Sequence, residues 1–385
     1  MRSCKWAAAL GLTGALAFSM PFYADAAAEK PEQMDEAVWE RLQDNVLEYG
    51  EIGDLVEYYN PTYRQIVEQI GINAKPLEEA AGELRKSAEE MTSDAKDIKD
   101  LDPVMYKVMQ EAAKEYRRAA EKFDKAIASV HNNTRHQLSM VKKMTTSGIQ
   151  QMMNGYYQAM ASREILDTAV ALSQAAYEST VTQRSLGMAT DTDVQAAEKS
   201  LQAARGQLQA LDDQMTSLRQ QMCIMTGWNY DADVQLGEIP EPDFAKIEAM
   251  NPENDLAKAI GNNYTLIEQR GISAKGDANK AAKFRLMDDT EAKVKADLEL
   301  SYQTVLESRT AYEAANTAFQ GAQITMNGNE LKYQMGMLGR LEYLQLKMAY
   351  LQQKAAARTA ALSLTQAIEN YGWIIQGLEG QSNGG

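Results

Sequence analysis

Two cysteines and two histidines are all that 385 residues contain. Each scarcity closes off a class of chemistry. Cys4 lies in a leader segment, so Cys223 is left alone, and a single thiol forms no internal disulfide. It falls in an apolar helical row and reads as core. His131 and His136 are five apart, on different faces of any helix, and no cysteine or carboxylate cluster completes a metal set around them. The chain also lacks a phosphate-binding loop, a Ser-His-Asp set and a paired-carboxylate cleft. The sequence therefore predicts no enzyme, with no catalytic residue, no cofactor and no metal. Acid runs such as Glu78-Glu79, Glu89-Glu90 and Asp288-Asp289 read as solvated faces or caps. Positive charge is in deficit. The formal net charge of −15 excludes nucleic acid as a partner and disfavours anionic lipid surfaces. Beyond the leader no apolar run reaches transmembrane length. No tract of about ten residues alternates as a membrane-barrel strand does. Proline, at 8 residues, leaves few helix stops.

What remains is helix-forming. Ala, Gln, Glu, Lys, Leu and Met dominate the chain. A charged start with Arg2 and Lys5, an apolar stretch from 6 to 20 and the small residues of Ala24-Asp25-Ala26 predict a signal peptide over residues 1–26. The mature chain is expected to be exported to the cell envelope, periplasmic, outer-membrane associated or at the cell surface. A first helix is expected over 35–59, broken near Gly50 and Gly53. It restarts at Asn60-Pro61, runs to about Lys96 with a break from Gly71 to Pro76, and turns at 97–103. The next helix covers 104–186, with a possible interruption at 131–134. If continuous it spans on the order of 120 Å. After a turn at 187–192, helix resumes to Thr226. Residues 231–239 predict one short strand, inside an irregular stretch that separates two halves. Helices return near Asn254, break near 271–276 and 288–289, turn at 333–343 and end by Gly377. The predicted organisation is a signal peptide (1–26), a first helical repeat (27–234), a linker (235–253), a second helical repeat (254–377) and a disordered tail (378–385).

The helix after 192 carries a countable pattern. Val194, Leu201, Leu208, Met215 and Met222 are seven apart, and Ala197, Ala204, Leu211, Leu218 and Met225 follow three residues after each. Two rows without a miss predict a coiled-coil seam. Thr192 with Gln195 fits a capping box, and Asp191 and Asp193 suit the positive helix end. A second copy follows 149 residues later: Gly336 corresponds to Gly187, and Leu341-Glu342-Tyr343 to Thr192-Asp193-Val194. There Leu341, Met348, Ala355 and Leu362 are seven apart, paired with Leu344 and Leu351, and Arg358 interrupts the partner row. Asn60-Pro61 also has a counterpart in Asn262-Asn263-Tyr264. The chain thus reads as two related halves, the first longer by roughly fifty residues around 75–116.

At these residues the chain resembles a known family. Residues 187–194, with Ala197-Glu198, Leu201, Arg205 and the closing Thr226-Gly227, are similar to the hairpin tip and downstream helix of TolC-type outer-membrane efflux proteins. "YQMGMLGRLEYLQLKMAYLQ" (333–352) is similar to that family's second tip, and the Asn-rich junctions match as well. The resemblance implies an all-α fold of long antiparallel helical hairpins in two pseudo-repeats. It implies a homotrimer closing a hollow α-barrel, and a membrane-fusion adaptor and inner-membrane pump as partners. Gly187, Thr190 and Asp193 of the first tip, and Gly336, Leu341 and Glu342 of the second, would be the adaptor contacts. Three Glu342 carboxylates would ring the mouth and favour cations, although Asp193 and Glu342 also suit plain helix-end stabilisation. Familiar members insert β-strands between the helices of each half. Here the corresponding stretches, 127–140 and 284–291, are polar or helical, so a TolC-like α-barrel architecture without a β-barrel is expected. The implied function is that of an envelope component of an efflux or secretion system in transmembrane transport. The alternative is an exported coiled-coil interaction protein with no transport role.

Overall fold

The computed structural model describes residues 35–100 and 102–379. The expected signal peptide lies outside the described residues, as does the tail from 380 onward. Ten helices and two short strands are placed among the described residues. They are α1 (Glu36–Leu42), β1 (Val46–Leu47), α2 (Ile52–Tyr59), α3 (Pro61–Ile98), α4 (Pro103–Ser185), α5 (Asp191–Met225), β2 (Gln235–Leu236), α6 (Phe244–Ala249), α7 (Pro252–Asn262), α8 (Tyr264–Gly271), α9 (Asp277–Gln334) and α10 (Arg340–Ile375). The chain is all-α in class. No helix among the described residues is long and apolar enough to cross a membrane.

Four long helices lie side by side in the order α5, α4, α10, α9. The heptad rows explain the α4–α5 pairing. Leu201, Ala204 and Met222 are buried, and Val194, Leu208, Leu211, Met215 and Leu218 are half-buried, while nearly every other residue up to Gln214 is exposed. In α10, Leu351, Ala355 and Leu362 are buried and Leu341, Leu344 and Met348 half-buried. Arg358, which interrupts that row, pairs with Glu241 at 2.9 Å. Ion pairs between Lys354 and Glu164 (2.7 Å) and between Arg340 and Glu178 (3.1 Å) tie α10 to α4 and join the two hairpins into one wall.

Above α5, α3 takes the place beside α4. Ala74, Ala81, Ala88 and Ala95 are buried at heptad spacing, with Leu77, Leu84 and Met91 between them, and they face the buried Ala113 and Ala120 of α4. Small residues on both sides let the two backbones approach closely. The expected break at Gly71 to Pro76 does not occur: α3 runs through Pro76 without interruption. An interior proline costs about 3 kcal/mol, but Pro76 is exposed on the face away from α4, where water reaches the carbonyl it leaves free. The heptad packing of α3 outweighs the remainder. Residues 131–134 and Asp288-Asp289 also lie within continuous helix rather than at breaks.

Two cores sit near mid-length. The first gathers Trp39, Leu47, Ile52, Ile149, Met153 and Met222, together with Leu362 from the other half. The second gathers Leu266, Val294, Leu298, Leu364 and Ile368. The strand expected at 231–239 is β2, and its partner is β1, paired in parallel with Val46 opposite Gln235. Within the expected linker 235–253, Ile239 and Ile247 are buried. Glu379, at the start of the expected tail, accepts from Thr265 (2.8 Å) and pairs with Lys293 (3.1 Å).

Candidate functional site

The two hairpin tips are built alike, bond for bond. In the first, Gly187 adopts φ +75°, its N–H donates to Arg184 O (2.9 Å), and Met188 N–H donates to Gln183 O (2.8 Å). In the second, Gly336 adopts φ +71°, its N–H donates to Tyr333 O (2.9 Å), and Met337 N–H donates to Lys332 O (2.8 Å). Both are glycine-closed helix ends. The next helix starts at equivalent positions too: Val194 N–H donates to Thr190 O and Tyr343 N–H to Gly339 O. The 149-residue correspondence therefore holds in backbone geometry. At the far ends it becomes 150, because α10 has 36 residues and α5 has 35.

The tips are fastened differently. The capping residue of α5 is Thr190, not the expected Thr192. Its hydroxyl accepts from Asp193 N–H (3.2 Å), and the Asp193 carboxylate accepts from Thr190 N–H (2.8 Å) and Thr190 Oγ1 (2.7 Å). The chain leaves the Gly187 turn so sharply that Thr190 already has the extended backbone of a cap, φ −95° and ψ 166°. These bonds hold the Asp193 carboxyl below the usual range. Arg184 pairs with Asp191 across the turn. In the second tip Gly339 offers no side chain. Instead Tyr343 donates its hydroxyl to Glu330 (2.6 Å) and stacks on Tyr333 with ring centroids 4.1 Å apart. The Glu330 carboxylate pushes the Tyr343 phenol up to about 12.

Gly187, Thr190 and Asp193 thus meet in one turn, and Gly336, Leu341 and Glu342 flank the other. Sequence reasoning missed the apolar residues the tips present. Leu186 and Met188 are 66% and 68% exposed, and Met335 and Met337, their counterparts 149 residues on, are each 67% exposed. That repeated spacing was the available signal.

The outward edges of the wall carry a second missed feature. On α5, Ala196, Ala203, Ala210, Ser217 and Ile224 are seven apart, exposed, and on the side opposite the buried seam. On α9, Ala314, Gly321 and Gly328 do the same opposite Val294, Leu298 and Val305. Both edge helices are therefore apolar or small on two faces.

At the end remote from the tips, the halves again match. Asn60 caps α3 by accepting from Tyr63 N–H (2.8 Å), and its amide donates to Met225 O (2.6 Å). Asn263 caps α8 by accepting from Leu266 N–H (2.9 Å), and Asn262 donates to Ile375 O (2.9 Å). Gly227 (φ +89°) and Gly377 (φ +101°) lie against Tyr59 O and Asn262 O. Cys223 is buried, and burial pushes its thiol up, so it is poorly nucleophilic. His136 is exposed on α4.

No family model and no curated protein matches the sequence. Solved structures do. The Campylobacter jejuni CmeC outer membrane channel matches with a TM-score of 0.50 at 12% identity, over 95% of this chain and 92% of that one. The Vibrio cholerae outer membrane protein VceC gives 0.43 at 12% identity, over 66% of this chain and 76% of that one. The Neisseria gonorrhoeae MtrE outer membrane channel gives 0.39 at 11% identity, over 86% and 89%. The CmeC match shows that this chain shares that channel's fold.

Proposed function

We propose that this chain, with its TolC-like fold, is the helical wall of an envelope conduit in an efflux or secretion system. Three copies close the ring, and the tips meet a membrane-fusion adaptor linked to an inner-membrane pump. One observation carries the reading: α5 and α9 each bear a second, outward row of small residues. A four-helix sheet that is finished as a monomer needs no apolar character on its outer edges. A closed wall does, because each edge helix then has a neighbour on both sides. The four exposed apolar side chains of the tips fit a docking surface at the mouth.

The test is the native mass of residues 27–385 by light scattering, in buffer and in mild detergent, with Ala203→Asp and Gly321→Asp as variants. A wild-type trimer that dissociates in either variant supports the ring. A wild-type monomer refutes it. If the trimer holds, Met188→Ser with Met337→Ser should leave it intact and abolish capture of a membrane-fusion adaptor.

A second reading rests on the α3–α4 arm, a coiled coil that leaves Val104, Met105 and Val108 exposed near its turn, as an exported interaction protein would. A trimer that captures no adaptor and conducts no ions in planar bilayers would favour it.

A further inference from the structure

We propose that the ring seam closes at a glycine crossing: Gly206 of α5 lies against Gly328 of α9 in a second copy of this chain, with Leu331 and Ile324 seated on Ala203 and Ala210 to either side. The inference rests on the ring reading and names the contact that makes the ring.

Two large side chains without a partner are the starting point. Ile324 and Leu331 are 75% and 59% exposed, although the other face of α9 is packed at the same height. There Met326 is buried, and Phe319 and Tyr333 lie beside Tyr350 and Tyr343 of α10. Ile324, Gly328 and Leu331, four and three apart, fall on the opposite face. On α5, Leu201, Ala204 and Leu208 turn toward α4. Ala203, Gly206 and Ala210 stand on the opposite face, three and four apart, and all three are exposed.

The two faces match in spacing and in size. Read up from the tips, α9 presents Leu331, Gly328 and Ile324, and α5 presents Ala203, Gly206 and Ala210, each three and then four apart. Both helices place a glycine at the centre. Glycine inside a helix is less stable than alanine, and a Cβ at Gly206 or Gly328 would meet nothing within 4 Å in its own chain. No contact within one copy uses the missing side chains. A neighbouring backbone at close approach does, and the large residues of α9 then face the small ones of α5.

The heights agree. Arg205 binds Gln174 between α5 and α4, Arg340 binds Glu178 between α10 and α4, and Tyr343 binds Glu330 between α10 and α9. Stepping through these contacts brings Gly206 level with Gly328 to within about one turn, ~5 Å. A ring axis parallel to the helices preserves that level from copy to copy. Because the two faces are on opposite edges of one wall, their pairing is head-to-tail and closes a ring rather than a two-fold dimer. Along the ~50 Å of α5, a contact strip about 10 Å wide hides roughly 500 Å² on each side, or about 1,000 Å² per seam, the size a specific interface needs.

The test is cross-linking of Gly206→Cys/Gly328→Cys as the mature chain under mild oxidation. Within one copy α4 and α10 separate the two positions by three helix spacings, ~25–30 Å, far beyond disulfide reach. Cys223 is buried. Covalent dimers and trimers on a non-reducing gel, absent from each single variant, support the crossing. The comparison pair is Gly206→Cys/Ala314→Cys, displaced by about 21 Å along α9. A trimeric wild type in which the glycine pair links no faster than this comparison pair overturns the crossing and leaves the ring standing. A monomeric wild type whose glycine pair does not link overturns both. Ile324→Ser/Leu331→Ser should keep its helicity, since both positions are exposed, and raise the concentration at which the ring dissociates at least about tenfold by mass photometry. If that variant keeps its ring and instead loses capture of a membrane-fusion adaptor, the face is an adaptor contact and the crossing is wrong.

Discussion

Replacing Gly377 by alanine should be far more damaging than the same change at Gly187, although both glycines have positive φ and close a helix. At Gly187 (φ +75°) an added Cβ meets nothing within 4 Å, so the cost is the left-handed backbone alone, about 1 kcal/mol. At Gly377 (φ +101°) the Cβ would stand 2.0 Å from Asn262 O and 2.6 Å from Asn262 C. These are backbone atoms, so no side chain can swing aside. Relief requires the α7–α8 junction to move off the end of α10. Three hydrogen bonds span or flank that contact: Tyr264 N–H to Gly377 O, Asn262 Nδ2 to Ile375 O and Lys143 Nζ to Gln376 O. Losing them at about 1 kcal/mol each, on top of the backbone strain, gives a total of about 4 kcal/mol. Urea denaturation followed by circular dichroism at the helix band measures both variants against wild type. Gly227→Ala, whose Cβ would stand 2.5 Å from Tyr59 O, should behave like Gly377→Ala. Equal losses at Gly187 and Gly377, within about 0.5 kcal/mol, would refute the claim that close backbone approach, and not φ alone, demands glycine here.

Other perturbations probe the seam and the tips. Leu208→Asp with Leu211→Asp places unpaired charge in the α4–α5 seam and should cost roughly 2–3 kcal/mol per site; unchanged helicity and oligomer size would refute the seam. Thr190→Ala removes the α5 cap and should cost about 1 kcal/mol or less, visible as faster amide exchange confined to the first turn of α5. The Tyr343 phenol, raised in the folded chain, favours the protonated form. Its contribution to stability is therefore complete below the ordinary tyrosine range and is lost as pH rises through about 12. Burial also raises Tyr49 and Tyr371, so phenolate absorbance should show one fewer late-titrating tyrosine after Glu330→Gln than in the wild type.

Much of this fold could be read from spacing. The α5 rows are long side chains at strict seven-residue intervals, and the 149-residue correspondence located both tips before any geometry was known. Other features escaped for physical reasons. The outward rows of α5 and α9 are Ala, Gly and Ser, residues that look neutral in sequence and gain meaning only once the opposite face is known to be buried. The alanine heptad of α3 was hidden in the same way, behind a proline that usually stops a helix. Thr190 and Thr192 each begin a plausible capping box, and only the exit angle of the Gly187 turn selects the first. The β1–β2 pair joins residues far apart in the chain, and no local pattern announces such a partner.

The 83 residues of α4 form one unbroken helix, ~125 Å from Pro103 to Ser185. It touches α3 at one end, the first core at mid-length and both α5 and α10 toward the other. A helix of that length without a break in its assignment acts as a drive shaft. A twist applied at the tip is carried along α4 to the core packing around Ile149 and Met153 and, through it, toward the α3–α4 arm. The two ends of the molecule are mechanically geared, so anything that grips the arms also constrains how far the tips can turn.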